Sequence, residues 1–501
     1  MTSPFAPGGP FSDLSAINTD LVESLMIGGD VLNRDTDRAN AQDFTHMFGD
    51  RVLWTPEGGW YIYDETRWRP DTLAGRSDLI GALADHLSAR SRIVEDDTER
   101  NILRARVRRL EGSGGLAGAL KYAESMNAKS LTEMDQNPYL LNCLNGTLDL
   151  RSGEMVKRDP GNFITRLAPT AYDPSAYDPV WEKVRHEGFG EDKDQMAFFQ
   201  RYMGYSLTGD YSMKKFLAMH GPSDAGKSSL VEPFALVLGD VAEGGYTTSW
   251  DAEVLQADAT INRYEKLDKA RSARLILVGE LEKGKRMADG FVKKFTGGNA
   301  MDAKALYKGS YTYKPQAKLI LDTNYVPKSA DPAVHNRLIL LPMTHVPKHK
   351  DPLIKAHLEE SDEAHRAILA WALKGAKDWW DTRSLGETPW MAAAMNKYVK
   401  SSDVLVNFVD DCFEPTDVLN ECVPVTMASA MYQAWCIDEG SKAMQRRTWT
   451  DAMEERGHLK HRLGMGGATI LTGIKVKPLD ELSELVRAAV ISGKWVGQSG
   501  T

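Results

Sequence analysis

The chain has 501 residues, enough for about three domains at the usual ~150 residues each. Apolar residues make up 42% and charged residues 26%, with a net charge of −9; this excludes a disordered chain, a fibre and a uniformly basic nucleic-acid coat. No stretch reaches the roughly 18 uninterrupted apolar residues of a membrane span, and the start lacks a basic segment followed by an apolar run, so a cytoplasmic location without membrane partners is expected. The four cysteines (Cys143, Cys412, Cys422 and Cys436) match no zinc-binding spacing and are expected to be buried or free thiols.

Residues 1–44 are rich in Gly, Pro, Asp and Asn without sustained periodicity, which predicts a flexible tail or short lead-in helix. Residues 45–194 read as an α+β domain. Aromatic and β-branched runs flank a Pro/Gly turn between Arg51 and Trp68 and predict a small β-meander. Helical periodicity with high charge follows from about Ser77 to Ser130, and a strand-turn-strand signal runs from Leu140 to Leu150 with Asn145-Gly146 as the turn.

Residues 195–350 carry the chemistry. The apolar strand Lys215–His220 feeds Gly221-Pro222-Ser223-Asp224-Ala225-Gly226-Lys227-Ser228-Ser229, a GxxxxGKS loop opening a helix. Backbone N–H groups of such a loop, with the helix dipole behind them, cradle phosphates, and all nine residues are candidate nucleotide contacts. Lys227 is placed to reach the β- and γ-phosphates and Ser228 to ligate Mg²⁺, so ATP and Mg²⁺ are the expected cofactors. Pro233 should kink or shorten the helix after the loop.

The apolar run Arg274–Val278 reads as a buried parallel strand and ends near Glu280 and Glu282, either of which is a candidate catalytic carboxylate; Glu280 is also a candidate metal group. A third run, Ala317–Asn324, ends in Asn324, placed to orient water or sense the γ-phosphate. Arg337, before the apolar run Leu338–Pro342, is a candidate guanidinium donated across a subunit boundary.

Two basic islands stand out in this acidic chain. Residues 283–318 hold nine Lys/Arg against two Asp/Glu, and residues 441–477 hold eight against three. The first contains a strand-turn-strand pattern from Lys304 to Lys314 with basic residues, Lys308 among them, and aromatic residues near its tip, the kind of surface on which basic groups give salt-dependent affinity for nucleic acid. Tyr311 and Tyr313 alternate there, which favours packing on one face over base stacking. Residues 351–419 read as a helical linker. Residues 420–501 read as helix (Thr426–Asp438), helix (Arg446–Arg456) and a Gly-tipped β-wing (Lys460–Lys477), with Arg446 and Arg447 at the start of the second helix as candidate DNA contacts.

The order and spacing of these segments resemble the superfamily 3 helicases, in particular the poxvirus-type and phage/plasmid primase-helicase family. The resemblance is carried by the loop 221–229, Glu280-Leu-Glu-Lys-Gly284, Val292-Lys-Lys-Phe-Thr-Gly-Gly-Asn299, Asp322-Thr-Asn324 and His335-Asn-Arg337, together with Trp60–Pro70 and Asn137–Pro174 ahead of them. Asn299 stands where Asp is typical, and a single arginine remains where a pair is common.

The resemblance implies an α/β fold: a P-loop, AAA+-like core, an α+β N-terminal domain and a C-terminal winged-helix-like domain. It further implies an ATP-dependent DNA helicase, a homo-oligomeric hexameric ring acting on single-stranded and forked DNA with other replication proteins in a phage- or plasmid-bearing bacterial cell, and a channel-lining hairpin on which Lys308, with Lys304 next, is the leading candidate for a phosphate contact. Asp35 and Asp37 form a DxD-like pair, but no primase core fits ahead of residue 45, so no priming is expected. An RNA helicase or translocase, and an ATP-assembled origin-binding initiator without unwinding activity, are the alternatives.

Overall fold

The computed structural model describes residues 34–72, 74–190, 192–279, 285–304, 310–325, 329, 331–346, 351–402, 404–418, 421–439, 443–458, 460–462 and 469–492. The described residues fall into two units, those within 1–327 and 336–392 and those within 328–335 and 393–501.

In the first unit, α1 (Asp37–Phe48) starts at Thr36, whose hydroxyl accepts from the Ala39 N–H at 3.1 Å. A meander of β1 (Val52–Thr55), β2 (Gly59–Tyr63) and β3 (Trp68–Pro70) follows, then helices α2 (Gly75–Ile93), α3 (Asp97–Glu111) and α4 (Ser113–Met126). The fully buried guanidinium of Arg106 donates to Asp43 at 2.6 Å and to Asn40 at 2.7 Å. A buried cation needs such partners, so the whole of α1, including Asn40 and Asp43 ahead of residue 45, belongs to this core. Asp35 and Asp37 both face Arg109, at 2.9 and 3.6 Å.

A second small sheet is built from β4 (Leu140–Cys143), β5 (Gly146–Asp149) and β6 (Glu154–Val156). Cys143 pairs with Gly146, so the turn residues are Leu144 and Asn145, one position earlier than Asn-Gly predicts. The side chain of Asn145 explains the shift: its amide donates to the Tyr172 carbonyl and accepts from the Tyr172 N–H, both at 2.9 Å, and so serves as a stand-in for a strand residue.

The central sheet is parallel, in the order β13-β7-β12-β9-β8, from β7 (Phe216–His220), β8 (Thr247–Trp250), β9 (Leu275–Val278), β12 (Lys318–Thr323) and β13 (Leu338–Pro342). The inner strands are almost wholly buried, as their continuous apolar runs require when both faces are covered. The covering helices include α5 (Pro179–Phe189), α6 (Lys193–Leu207) and α7 (Lys227–Leu238). Pro233 lies inside α7, which runs on to Leu238. Between β8 and β9 stands α8 (Arg263–Lys269); α9 (Asp289–Thr296) leads into the antiparallel pair β10 (Met301–Lys304) and β11 (Ser310–Tyr313).

Buried cations join the segment ahead of α5 to this sheet. Arg274, at the start of β9, donates to the carbonyls of Pro138 (2.9 Å) and Asn137 (3.2 Å). Arg166 donates to those of Val241 (2.9 Å) and Arg271 (2.7 Å). Burial lowers the pKa of both, that of Arg166 to about 10.

The segment expected as a linker is, as far as residue 392, part of the same unit. Here α10 (Pro352–Glu360) is tied to α5 through His357 and Asp178, 2.8 Å apart. The longer α11 (Asp362–Thr382) packs on α6 and buries Ile368, Leu369, Trp371 and Trp379. The two helices approach at Gly204 and Gly375: a Cβ at Gly375 would lie 2.0 Å from the Gln200 carbonyl oxygen.

The second unit contains most of α12 (Pro389–Ser402), then α13 (Val404–Cys412), β14 (Phe413–Pro415), β15 (Val423–Pro424), α14 (Val425–Asp438), α15 (Arg446–Glu455), β16 (Lys460–Arg462), β17 (Thr469–Leu471), β18 (Ile474–Val476) and α16 (Glu484–Ser492). Its sheet order is β15-β17-β16, with β14 paired to β18. Phe408, Tyr432, Trp435 and Trp449 form its aromatic core. Among the described residues no helix is long and apolar enough to cross a membrane.

Gly375→Ala is expected to cost about 1–3 kcal/mol by forcing α6 and α11 apart. A lower urea midpoint with an unchanged slope is the expected readout, whereas Gly81→Ala, in the exposed interior of α2 with open space around it, raises the midpoint slightly as alanine favours the helix by about 0.5–1 kcal/mol.

Candidate functional site

The glycine-rich loop leaves the C-terminal end of β7 and turns into α7. Two of its glycines are dictated by geometry. A Cβ at Gly221 would lie 2.1 Å from the Met343 carbonyl oxygen, and Gly226 has φ 75°, a left-handed conformation that ordinary side chains disfavour. Pro222, Ser223 and Asp224 are exposed, Ala225 is buried, and Ser229 is half-buried in the first turn of α7.

Lys227 is only 6% exposed. Its ammonium donates to the carbonyls of Gly221 (2.8 Å) and Pro222 (3.1 Å) and to the side-chain oxygen of Asn324 (3.0 Å). Asp322 lies 3.6 Å away and accepts from the Ser228 hydroxyl at 2.7 Å. Residues alternate along a strand, so Asp322 and Asn324 project from the same face of the β12 end. The strands β7 and β12 pair with Asp322 level with Met219 and Thr323 with His220, which sets both polar groups beside the loop.

A cavity of about 930 Å³ opens over this cluster. The loop, Asp322 and Asn324 form one side, Trp250, Asp251 and Gly279 another, and Val184 and Gly188 from α5 with Ile354 and Lys355 from α10 a third. The donor set is of hard oxygens, a hydroxyl and a carboxylate, which fits Mg²⁺ rather than a softer metal.

The sequence-derived site is thus gathered in part. Lys227, Ser228 and Asn324 meet at the loop, while Glu280 and Glu282 lie outside the described residues. Arg337 does not reach this cluster. Its carbonyl accepts from the Phe216 N–H at 2.8 Å, at the opposite end of the sheet. Six residues of strand separate that level from Gly221, ~20 Å at about 3.3 Å per residue.

Asp322 joins the cluster without having been among the candidates read from the sequence; its two-residue spacing from Asn324, which puts both on one face of the strand, is the signal that marks it. The groups on α5 and α10 carry no sequence signal, because they reach the cavity only through packing.

In the first basic island, Lys304 is exposed at the end of β10, opposite Ser310. Lys308 falls outside the described residues. Tyr311 and Tyr313 pack rather than project: their hydroxyls donate to the Asp268 carboxylate (2.8 Å) and the Leu267 carbonyl (2.7 Å) of α8, and burial raises both pKa values. On the same helix Lys266 pairs with Asp251 at 2.7 Å, at the cavity edge. In the second unit, Arg446 and Arg447 are exposed in the first turn of α15, whose inner face buries Trp449 and Met453.

Residues 41–190 match the D5 N terminal like family, and this match covers the helices and small sheets ahead of α6. Over 335 residues, 62% of the chain, it is 24% identical to "Putative helicase L207/L206" of Acanthamoeba polyphaga mimivirus. The chain spans about a third (34%) of that mimivirus protein's length. Solved apo structures of the NrS-1 C-terminal region are also similar. One has a TM-score of 0.39 at 11% identity over 62% of this chain and 78% of that one, and another a TM-score of 0.38 at 11% identity over 61% and 77%.

Replacing Tyr311 or Tyr313 by Phe removes one bond between hairpin and α8, a loss of about 1 kcal/mol each. Amide hydrogen exchange is expected to quicken several-fold in residues 301–304 and 310–313 and to stay unchanged in α7.

Proposed function

We propose that this chain is a superfamily 3 helicase, an ATP-dependent, ring-forming DNA helicase of phage or plasmid replication working in the bacterial cytoplasm. The observation that carries the reading is the nearly buried Lys227, held by two loop carbonyls and by Asn324 at the end of the neighbouring parallel strand. In this role the loop N–H groups and Lys227 hold the triphosphate, with Ser228 on Mg²⁺. The metal ion supplies charge neutralisation of the phosphate oxygens. Asn324 positions the attacking water, and Glu280 or Glu282 takes its proton. The strand order, with the loop strand between β13 and β12, supports an AAA+-like core.

Arg337 is assigned to a neighbouring subunit's site. At ~20 Å along the sheet from its own loop, well beyond an arginine's reach, its guanidinium has nothing to do there. A site completed in trans requires a ring or filament, and a hexamer is the stoichiometry this reading adopts.

The DNA contacts are assigned to Lys304 and Lys308 on the hairpin and to Arg446 and Arg447 on α15. A helix pair followed by a β-hairpin, with the short β15 completing a three-stranded sheet, supports the winged-helix reading, in which the second helix of the pair enters the major groove. Forked and single-stranded DNA are the proposed substrates, with other replication proteins as partners.

Lys227→Ala and Arg337→Ala should each lower ATP hydrolysis on the order of 10³-fold or more. Mixing the two variants in ring-forming preparations should recover part of the activity, since some interfaces then join an intact loop to an intact arginine. No recovery on mixing sinks the shared site, and unwinding of forked RNA but not forked DNA sinks the assignment of substrate. Separately, Arg446→Ala and Arg447→Ala are each expected to weaken duplex binding and reduce the slope of log affinity against log salt by about one; an unchanged slope removes α15 from the interface.

A further inference from the structure

We infer that Asp322 is a metal-holding carboxylate of the nucleotide site, sharing a divalent cation with Ser228. This rests on the nucleotide reading of the loop given above.

Three features of the strand ends lead to it. The first is register. On β9 and β12, Val278 is level with Leu321, so the next residues, Gly279 and Asp322, stand alongside one another. Among the described residues the run of β9 thus ends in Gly279, which offers no side chain beside Asp322, and a Cβ added there would meet nothing within 4 Å. The carboxylate at that level comes instead from β12, the strand paired directly with β7.

The second is ligand geometry. The Ser228 hydroxyl and Asp322 Oδ2 are 2.7 Å apart. Two oxygens in cis positions on an octahedral Mg²⁺, each at ~2.1 Å, stand about 3 Å apart. The pair needs to open by only a few tenths of an ångström to hold the ion between them.

The third is charge. The ammonium of Lys227 already has three oxygen partners at 2.8, 3.1 and 3.0 Å, all nearer than Asp322 at 3.6 Å. Satisfying the lysine does not require the carboxylate. Its side chain is 35% exposed and lines the cavity beside the loop. A carboxylate facing a bound triphosphate is repelled unless a cation stands between them, so its position there makes chemical sense with a metal ion and costs affinity without one.

The test is titration of the full chain with a fluorescent ADP, with and without Mg²⁺, for the unsubstituted protein, Asp322→Asn and Asp322→Ala. Mg²⁺ is expected to tighten binding by the unsubstituted protein on the order of tenfold. In both variants that tightening should be lost, while Mg²⁺-free affinity stays within about threefold or improves as the repulsion goes. Thermal melting of each variant confirms that it is folded, and either folded variant suffices. Two results overturn the inference alone: an unchanged response to Mg²⁺, or equal weakening with and without Mg²⁺, which marks Asp322 as a positioning residue for Lys227. Failure of the unsubstituted protein to bind ADP at all overturns the nucleotide reading, and this inference with it.

Discussion

An ammonium removed almost wholly from water has to be met by oxygens, and the burial of Lys227 imposes this condition on everything around it. Two of the oxygens come from the loop itself, which bends back on its own lysine. The third, on Asn324, comes from a strand nearly a hundred residues further along and is available only because β12 lies beside β7, parallel and in register. A slip of one residue would turn Asp322 and Asn324 to the other face of the sheet. The order of the central strands and the polarity of one strand's end are therefore a single constraint. The carbonyl of Met343, after β13, adds a second: it allows only glycine at the entry to the loop.

The same economy appears at α8. Three consecutive residues of this short helix face two directions, with Lys266 bonded to Asp251 at the cavity edge and Leu267 and Asp268 bonded to the tyrosines of the β10–β11 hairpin. One short helix thus touches both the cavity edge and the hairpin.

Much of this was legible because buried parallel strands are written as unbroken apolar runs, and β7, β9, β12 and β13 are four of them. The loop was legible because its glycines are forced by close approach and left-handed backbone. The helices after residue 351 were misread as a linker. Their periodicity shows an apolar face but not what covers it, and α11 finds its cover on α6, more than 150 residues earlier. The Asn145 turn was misplaced by one because its side chain bonds a distant backbone, a choice that no local signal records. Asp322 was overlooked for a related reason: a carboxylate two residues before an asparagine has no meaning until the neighbouring strand is known.

The buried arginines Arg166 and Arg274 have a consequence for how such a protein can be rearranged in evolution. Each reaches across from one half of the first unit to carbonyls or loops of the other, so cutting the chain between α5 and α6 would leave guanidinium groups or carbonyls without partners in a dry interior. Residues 131–174 are in effect an outer wall of the sheet. A recombination event that trades the front of this gene for another must bring a wall cut to the same pattern, with carbonyls to meet Arg274 and a guanidinium to meet those of Val241 and Arg271.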